Sequence, residues 1–163
     1  MVYAIVIAAL VALDQVVKYL VATRIPLGGA VPFLPHILEL TNMHNTGAAF
    51  SFLSGATWVL ALASAAVSFL LAMALIQGFF RHPLGNWTLS VLLAGAVGNL
   101  IDRVRLGYVV DMFRPLFVNF AVFNVADICV TLSAIFLMVY VVFLYDKLEK
   151  GPSDETSDGH GGA

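Results

Sequence analysis

The stretch GNLIDRVRLGYVVDMF, residues 98–113, decides the fold, because it places charged residues directly behind an apolar segment. The chain of 163 residues is 61% hydrophobic and only 11% charged, whereas a typical soluble domain has about 25% charged residues. Its mean hydropathy is +0.95. This composition predicts an integral membrane protein. The net charge of −2 gives no basic surface for nucleic acid.

Four apolar segments organise the chain, at about residues 2–22, 56–80, 87–103 and 121–145. A helix that crosses the hydrocarbon core of a bilayer needs about 20 residues, so each segment is predicted to be a transmembrane helix. The third continues past its apolar part, which places Asp102 and Arg103 near the membrane interface. Four spans put both termini on one side of the membrane. Lysines and arginines are divided too evenly between the loops to say which side.

The segments between the predicted helices differ in character. Three prolines interrupt residues 23–55, and HILELTNMHN at residues 36–45 mixes β-branched and polar residues, which predicts a small sheet on the membrane surface. The segment from Arg103 to Phe120 is predicted to be a loop that either closes as a lid or stays fixed. Residues 1–150 form one membrane domain, and the acidic tail at residues 151–163 is predicted to be disordered.

Polar residues in and beside the apolar segments are the candidates for function. Asp14 and Lys18 are four residues apart and share a helix face. One interpretation is an ion pair that lowers the cost of inserting the helix into the membrane. The other is that Asp14 faces a polar site between helices. Asn45 and Gly47 fit a turn before the second segment. An asparagine amide also suits binding a peptide backbone, because it both donates and accepts hydrogen bonds.

A polar patch ends the third segment, where Asn99, Asp102 and Arg103 are three or four residues apart on a helix. A plain helix terminus has a similar composition, but Asn99 still lies within the apolar part. The four histidines lack the spacing of metal ligands, and a single cysteine cannot form an internal disulfide.

Asp111 and Asp127 are the pair that predicts catalysis. Asp111 lies in an apolar stretch too short for a span, and Asp127 is predicted about two turns inside the fourth segment, with Asn124 on its face. A carboxylate inside a span costs about 2.5–3.5 kcal/mol on insertion scales. Two close carboxylates share a proton, so that one activates water while the other polarises a carbonyl, as in aspartyl proteases. The alternative is a small four-helix proton-coupled transporter, because intramembrane acids also mark ion paths.

The motifs NTGAAFS, GNLIDR, VVDMF and FNVADICV resemble, in order and spacing, those of lipoprotein signal peptidase, the bacterial signal peptidase II. The resemblance covers the chain from about Asp14 to Tyr145. It implies an aspartyl endopeptidase of the bacterial inner membrane that removes the signal peptide from diacylglyceryl-modified prolipoproteins. Cleavage is expected on the N-terminal side of the lipidated cysteine, without a metal or an organic cofactor. The implied fold is an all-α membrane protein of four transmembrane helices, with a small periplasmic β-cradle and a periplasmic loop or lid before the fourth helix.

The resemblance also implies a role for each motif residue. Asp111 and Asp127 match the catalytic dyad. The residues expected to bind substrate or to support the dyad are Asp14, Asn45, Gly47, Asn99, Asp102, Arg103 and Asn124. Asp102 is expected to orient Arg103. The termini are expected in the cytoplasm and the dyad at the periplasmic face, surrounded by membrane lipid. A monomer is expected to suffice, because one chain contains the whole site.

Overall fold

The computed structural model describes residues 1–47 and 57–149. Four helices in this part of the chain are long and apolar enough to cross a membrane, as predicted. They are α1 (Val2–Arg24), α2 (Thr57–Ile76), α3 (Pro83–Leu106) and a fourth helix that comprises α4 (Val125–Val139), a π-helical segment (Tyr140–Leu144) and α5 (Tyr145–Glu149). The predicted start of the second span at residue 56 and the predicted disordered tail lie outside the described residues.

Two of the helix boundaries that differ from the prediction are set by local backbone signals that hydropathy ignores. Helix α2 ends at Ile76, four residues before the predicted end, because Gly78 adopts a left-handed φ of 64° that stops a helix. Helix α3 begins at Pro83 instead of residue 87. His82 is its N-cap, and proline favours the first helical position, where its missing N–H is not needed.

The start of the fourth helix corrects the predicted depth of Asp127. The helix begins at Val125, so Asp127 lies in the first turn and not two turns inside the span. The cause is a capping box in which the Asn124 side chain accepts from the Asp127 N–H and the Asp127 side chain accepts from the Asn124 N–H. The carboxylate therefore lies at the end of the helix that carries the positive end of its dipole.

Three antiparallel strands form the sheet, in the order β1 (Ala30–Leu34), β2 (Leu38–Asn45) and β3 (Val109–Pro115). The sequence predicted strands only before α2. Strand β3 instead occupies much of the segment from Arg103 to Phe120, which the sequence predicted to be a loop. Alternating residues of β3 face opposite sides. Val110 and Met112 pack on Val21 and Ile25, and these four buried side chains form the apolar contact between the end of α1 and the sheet.

Candidate active site

Asp111 and Asp127 are brought to one place by pairing on the outer edge of β3. Phe113 and Phe123 form an antiparallel bridge, and the Met112 N–H donates to the Phe123 carbonyl at 3.0 Å. Helix α4 then begins at Val125, directly after Asn124. This pairing lays the first turn of α4 beside the strand that carries Asp111, and the two carboxylates line one cavity.

Three asparagines hold the two carboxylates by donating hydrogen bonds to them. Asn45 Nδ2 donates to Asp111 Oδ2 at 2.8 Å, and Asn99 Nδ2 donates to Asp127 Oδ1 at 2.7 Å. Asn124 contacts both, through Nδ2 to Asp111 Oδ1 at 2.7 Å and through its backbone N–H to Asp127 Oδ2 at 3.1 Å. Each of the four carboxylate oxygens thus accepts one hydrogen bond, which orients both groups toward the cavity.

Burial decides the protonation behaviour of Asp111, which is only 3% exposed. Burial raises the pKa of Asp111 to about 6, because a buried carboxylate loses the hydration of its charged form. The hydrogen bonds from Asn45 and Asn124 and the positive charge of Lys18 lower this pKa, whereas the charge of Asp127 raises it. Asp111 is therefore poised to exchange a proton near neutral pH.

The cavity in front of the carboxylates has a volume of about 380 Å³. Its walls are mostly apolar, with contributions from Val109, Phe120, Phe123, Ile128 and Leu132, and Asn45, Asn99 and Arg103 add polar groups. Arg103 Nη1 donates to the Asn99 carbonyl at 3.4 Å, and its buried Nε has no hydrogen-bond partner among the described residues.

Gly47 acts through Asn45. Its backbone N–H donates to Asn45 Oδ1 at 2.9 Å, so the amide nitrogen of Asn45 faces Asp111. The turn predicted for these two residues is therefore present, whereas the predicted binding of a peptide backbone by Asn45 stays a prediction.

A second polar group lies behind the carboxylates, where Lys18 makes ion pairs with Asp14 at 2.9 Å and with Asp102 at 3.0 Å. Asp14 also accepts from the Ala126 N–H at 2.9 Å, and Asp102 from the Val110 N–H at 3.2 Å. Among the described residues no hydrogen bond or ion pair joins Asp102 to Arg103, so the expected orienting role of Asp102 stays a prediction. Its carboxylate instead ties α3 to β3 and to α1.

Sequence reasoning left three contributors out of the candidate site. Gln15 Nε2 donates to Asp102 Oδ1 at 2.9 Å, and Lys18 Nζ donates to Asn99 Oδ1 at 3.0 Å. The apolar residues of the cavity were also missed. Spacing placed Lys18 beside Asp14, but only the packing of α1 against α3 shows that it reaches Asn99. Within residues 1–47 and 57–149, no group of three His, Cys, Asp or Glu side chains is arranged to hold a metal ion.

Comparison with known proteins places these features in a family context. The sequence model of the family described as signal peptidase (SPase) II matches residues 6–143. The lipoprotein signal peptidase of Enterococcus faecalis is 43% identical over 97% of this chain and 95% of its own length. That of Lactiplantibacillus plantarum is 41% identical over 86% and 94%, respectively. A solved bacterial membrane enzyme superposes with a TM-score of 0.82 at 32% identity, covering 93% of this chain and 92% of the other. A second gives 0.76 at 31% identity, over 88% and 94%.

Proposed function

Because the chain belongs to the signal peptidase II family of membrane aspartic peptidases, which remove signal peptides from prolipoproteins, we propose that Asp111 and Asp127 are its catalytic dyad. The observation that carries this proposal is the cavity that both carboxylates line, together with the buried Asn124, which donates to each of them. The transporter alternative has no support from the relatives or the solved structures.

Hydrolysis by this dyad requires one proton shared between the two carboxylates. One carboxylate accepts a proton from water as the water attacks the scissile carbonyl, and the other donates a hydrogen bond to the carbonyl oxygen. The tetrahedral intermediate then breaks its C–N bond as the leaving amine receives a proton, and no acyl-enzyme forms. The dyad titrates as a coupled unit, so the shared proton belongs to the pair.

The cavity suits the substrate that the family implies. Its apolar walls match a signal peptide that ends beside a diacylglyceryl-modified cysteine, because apolar side chains gain stability by leaving water. Arg103 and Asn45 line the cavity, where their guanidinium and amide groups can donate to the substrate backbone. Cleavage on the N-terminal side of the lipidated cysteine leaves the lipid chains in the membrane.

The proposal includes an orientation in the bacterial inner membrane. The dyad and the sheet lie at the periplasmic face, with both termini in the cytoplasm. The position of Asp127 in the first turn of a membrane-length helix supports a site near the membrane surface. Water reaches the site from that face, and one chain is sufficient.

The substrate class is tested with the purified full-length protein in detergent. It is incubated with a diacylglyceryl-modified prolipoprotein and with the same precursor lacking lipid, and the products are identified by mass spectrometry. We expect cleavage of the lipidated precursor alone, with the lipidated cysteine as the new N-terminus. In ¹⁸O-labelled water, the released signal peptide should carry one labelled oxygen. Equal cleavage of the unlipidated precursor, or cleavage at another bond, would contradict the proposal.

A further inference from the structure

Lys18 is a buried cation that is linked to the dyad through a single residue, Asn99, which donates a hydrogen bond to Asp127. It is 3% exposed and contacts two carboxylates, those of Asp14 and Asp102. Its ammonium also donates to Asn99 Oδ1 at 3.0 Å. The two ion pairs are sufficient to hold α1 against α3. The third contact, from the Lys18 ammonium to Asn99, therefore needs a separate explanation.

The third contact sets the direction of the Asn99 amide. An ammonium group has three donors and no acceptor. Lys18 can therefore form a hydrogen bond only with the oxygen of the Asn99 amide, not with its nitrogen. The nitrogen side of Asn99 is thereby turned to Asp127 Oδ1, to which it donates at 2.7 Å. Had the amide been reversed, its NH₂ group would face an ammonium and its oxygen would face a carboxylate, two repulsive contacts in a buried site.

The orientation of the Asn99 amide in turn determines that of a second amide, Asn124. Asn99 Oδ1 also accepts from Asn124 Nδ2 at 3.1 Å, which turns the oxygen of Asn124 toward the Asp127 N–H at 2.8 Å. Asn124 Nδ2 then donates to Asp111 Oδ1 at 2.7 Å. One cation thus orders two amides, and each presents an N–H to one of the two carboxylates.

We propose that Lys18 is a positioning residue for the dyad, which fixes the direction of the Asn99 and Asn124 amides and so the hydrogen bonds that hold Asp111 and Asp127. This inference rests on the proposed function. Lys18 does not touch the cavity, so its effect on the reaction is indirect. The amides it orders keep the reactive carboxylate lone pairs free and aimed at the substrate, and small errors in such geometry cost large factors in rate.

The charge of Lys18 gives the proposal a second readout. It lowers the pKa of Asp111, so its removal raises that pKa and moves the pH profile of kcat/KM to higher pH. Charged and titratable groups face Asp111 from each element that packs against it. They are Lys18 on α1, with its ion-pair partners Asp14 and Asp102, Arg103 on α3, Asp127 on α4, and His44 on β2, which lines a cavity with Asp111.

Two variants separate positioning from simple charge compensation. Lys18→Met removes the ammonium but leaves two buried carboxylates without their cation. The triple variant Asp14→Asn, Lys18→Met, Asp102→Asn is neutral, keeps an oxygen acceptor at both aspartate positions, and leaves the Asn99 amide free to turn. Both are purified in full length, checked for folding by thermal denaturation, and assayed with the diacylglyceryl-modified prolipoprotein beside the wild type and Asp111→Asn.

We expect kcat of the neutral triple to fall by about 10- to 100-fold with KM nearly unchanged, while its thermal stability stays near that of the wild type. The pH profile of Lys18→Met should move to higher pH. A folded triple with wild-type kcat would show that Lys18 only compensates charge and would overturn the inference, as would a folded Lys18→Met with wild-type kcat and profile. If one variant does not fold, the kcat of the other decides. Loss of cleavage in the wild type would instead contradict the proposed function.

Discussion

At the scale of single residues, the site is built from asparagines that act as oriented donors. Asn45, Asn99 and Asn124 each direct an N–H to a carboxylate, and each has its oxygen occupied by another donor. The sequence identified these three residues from their places beside or within the apolar segments and from the motifs that resemble a known family. It could not show which atoms meet, because the partners come from β2, α3 and the residue before α4.

The hydrogen bond from Asn45 makes the first prediction. It stabilises the ionised form of Asp111, so Asn45→Ala removes a cause that lowers the pKa of Asp111, and this pKa rises above about 6. A hydrogen bond to a charged group contributes about 1.5–3 kcal/mol, so the pH profile of kcat/KM should move upward by about one to two units. Asn119→Ala removes an amide from a neighbouring cavity that Asp111 also lines, so it serves as the control and should leave the profile unchanged. An unmoved profile in Asn45→Ala would contradict this role.

The burial of Asp111 makes a prediction about stability. The carboxyl has a pKa of 3.8 when unfolded and about 6 when folded, so the folded state binds more protons between these values. The free energy of unfolding therefore falls as pH rises through this window, by about 1 kcal/mol between about pH 5 and about pH 8. Thermal denaturation in detergent should show a lower Tm at the higher pH. Asp111→Asn should reduce this dependence, and an identical dependence in that variant would contradict the assignment.

At the scale of elements, the sequence predicted which segments are helices better than where they end. Hydropathy found four spans because apolar length is required to cross a membrane. The observed boundaries are set by the helix-capping residues His82 and Asn124 and by the left-handed conformation of Gly78. These local signals end or begin a helix regardless of how far the apolar residues extend. Strand β3 escaped prediction because Val109–Met112 is buried on both sides, which removes the alternation of polar and apolar residues that marks a surface strand.

Close packing of α1, α3 and α4 makes a prediction at Gly98. A Cβ added there would lie 2.7 Å from Asp14 Oδ2 and 3.2 Å from the Ala126 Cβ. Gly98→Ala should therefore displace Asp14 from its contacts and lower the free energy of unfolding by about 1–3 kcal/mol, as overpacking does. Thermal denaturation and the cleavage rate should both decrease. Val104→Ala, on the exposed side of the same helix, is the control. Wild-type stability in Gly98→Ala would show that the three helices are less tightly packed.

At the scale of the whole molecule, the four helices and the sheet serve to bring distant residues together. Asp14, Asp111 and Asp127 are joined through contacts across α1, β3 and α4. The positions of Asp111 and Asp127 along the chain already predicted that these two carboxylates act as a pair, whereas Asp14 joined their site only through the resemblance to a family. Long-range pairing, such as the bridge between Phe113 and Phe123, has no local signal in the sequence.

The proposed orientation makes a prediction for the whole chain in its membrane. In a Cys129→Ser background, a cysteine introduced by Phe117→Cys lies in the loop beside the sheet, and one introduced by Arg81→Cys lies between α2 and α3. A membrane-impermeant thiol reagent added to intact cells should label the first position alone. Labelling of both positions after the membrane is opened is the control. Labelling of the second position alone in intact cells would invert the orientation.

The measurement that tests the central claim most directly is the single-turnover cleavage rate of the diacylglyceryl-modified prolipoprotein by Asp111→Asn and Asp127→Asn. Asp146→Asn provides the matched control, because this carboxylate lies roughly 28 Å along the fourth helix from Asp127. We predict that both dyad variants remain folded and lose cleavage by at least about 10³-fold, while Asp146→Asn cleaves at the wild-type rate. Cleavage near the wild-type rate by either folded dyad variant would contradict a mechanism in which two aspartates share the work of activating water.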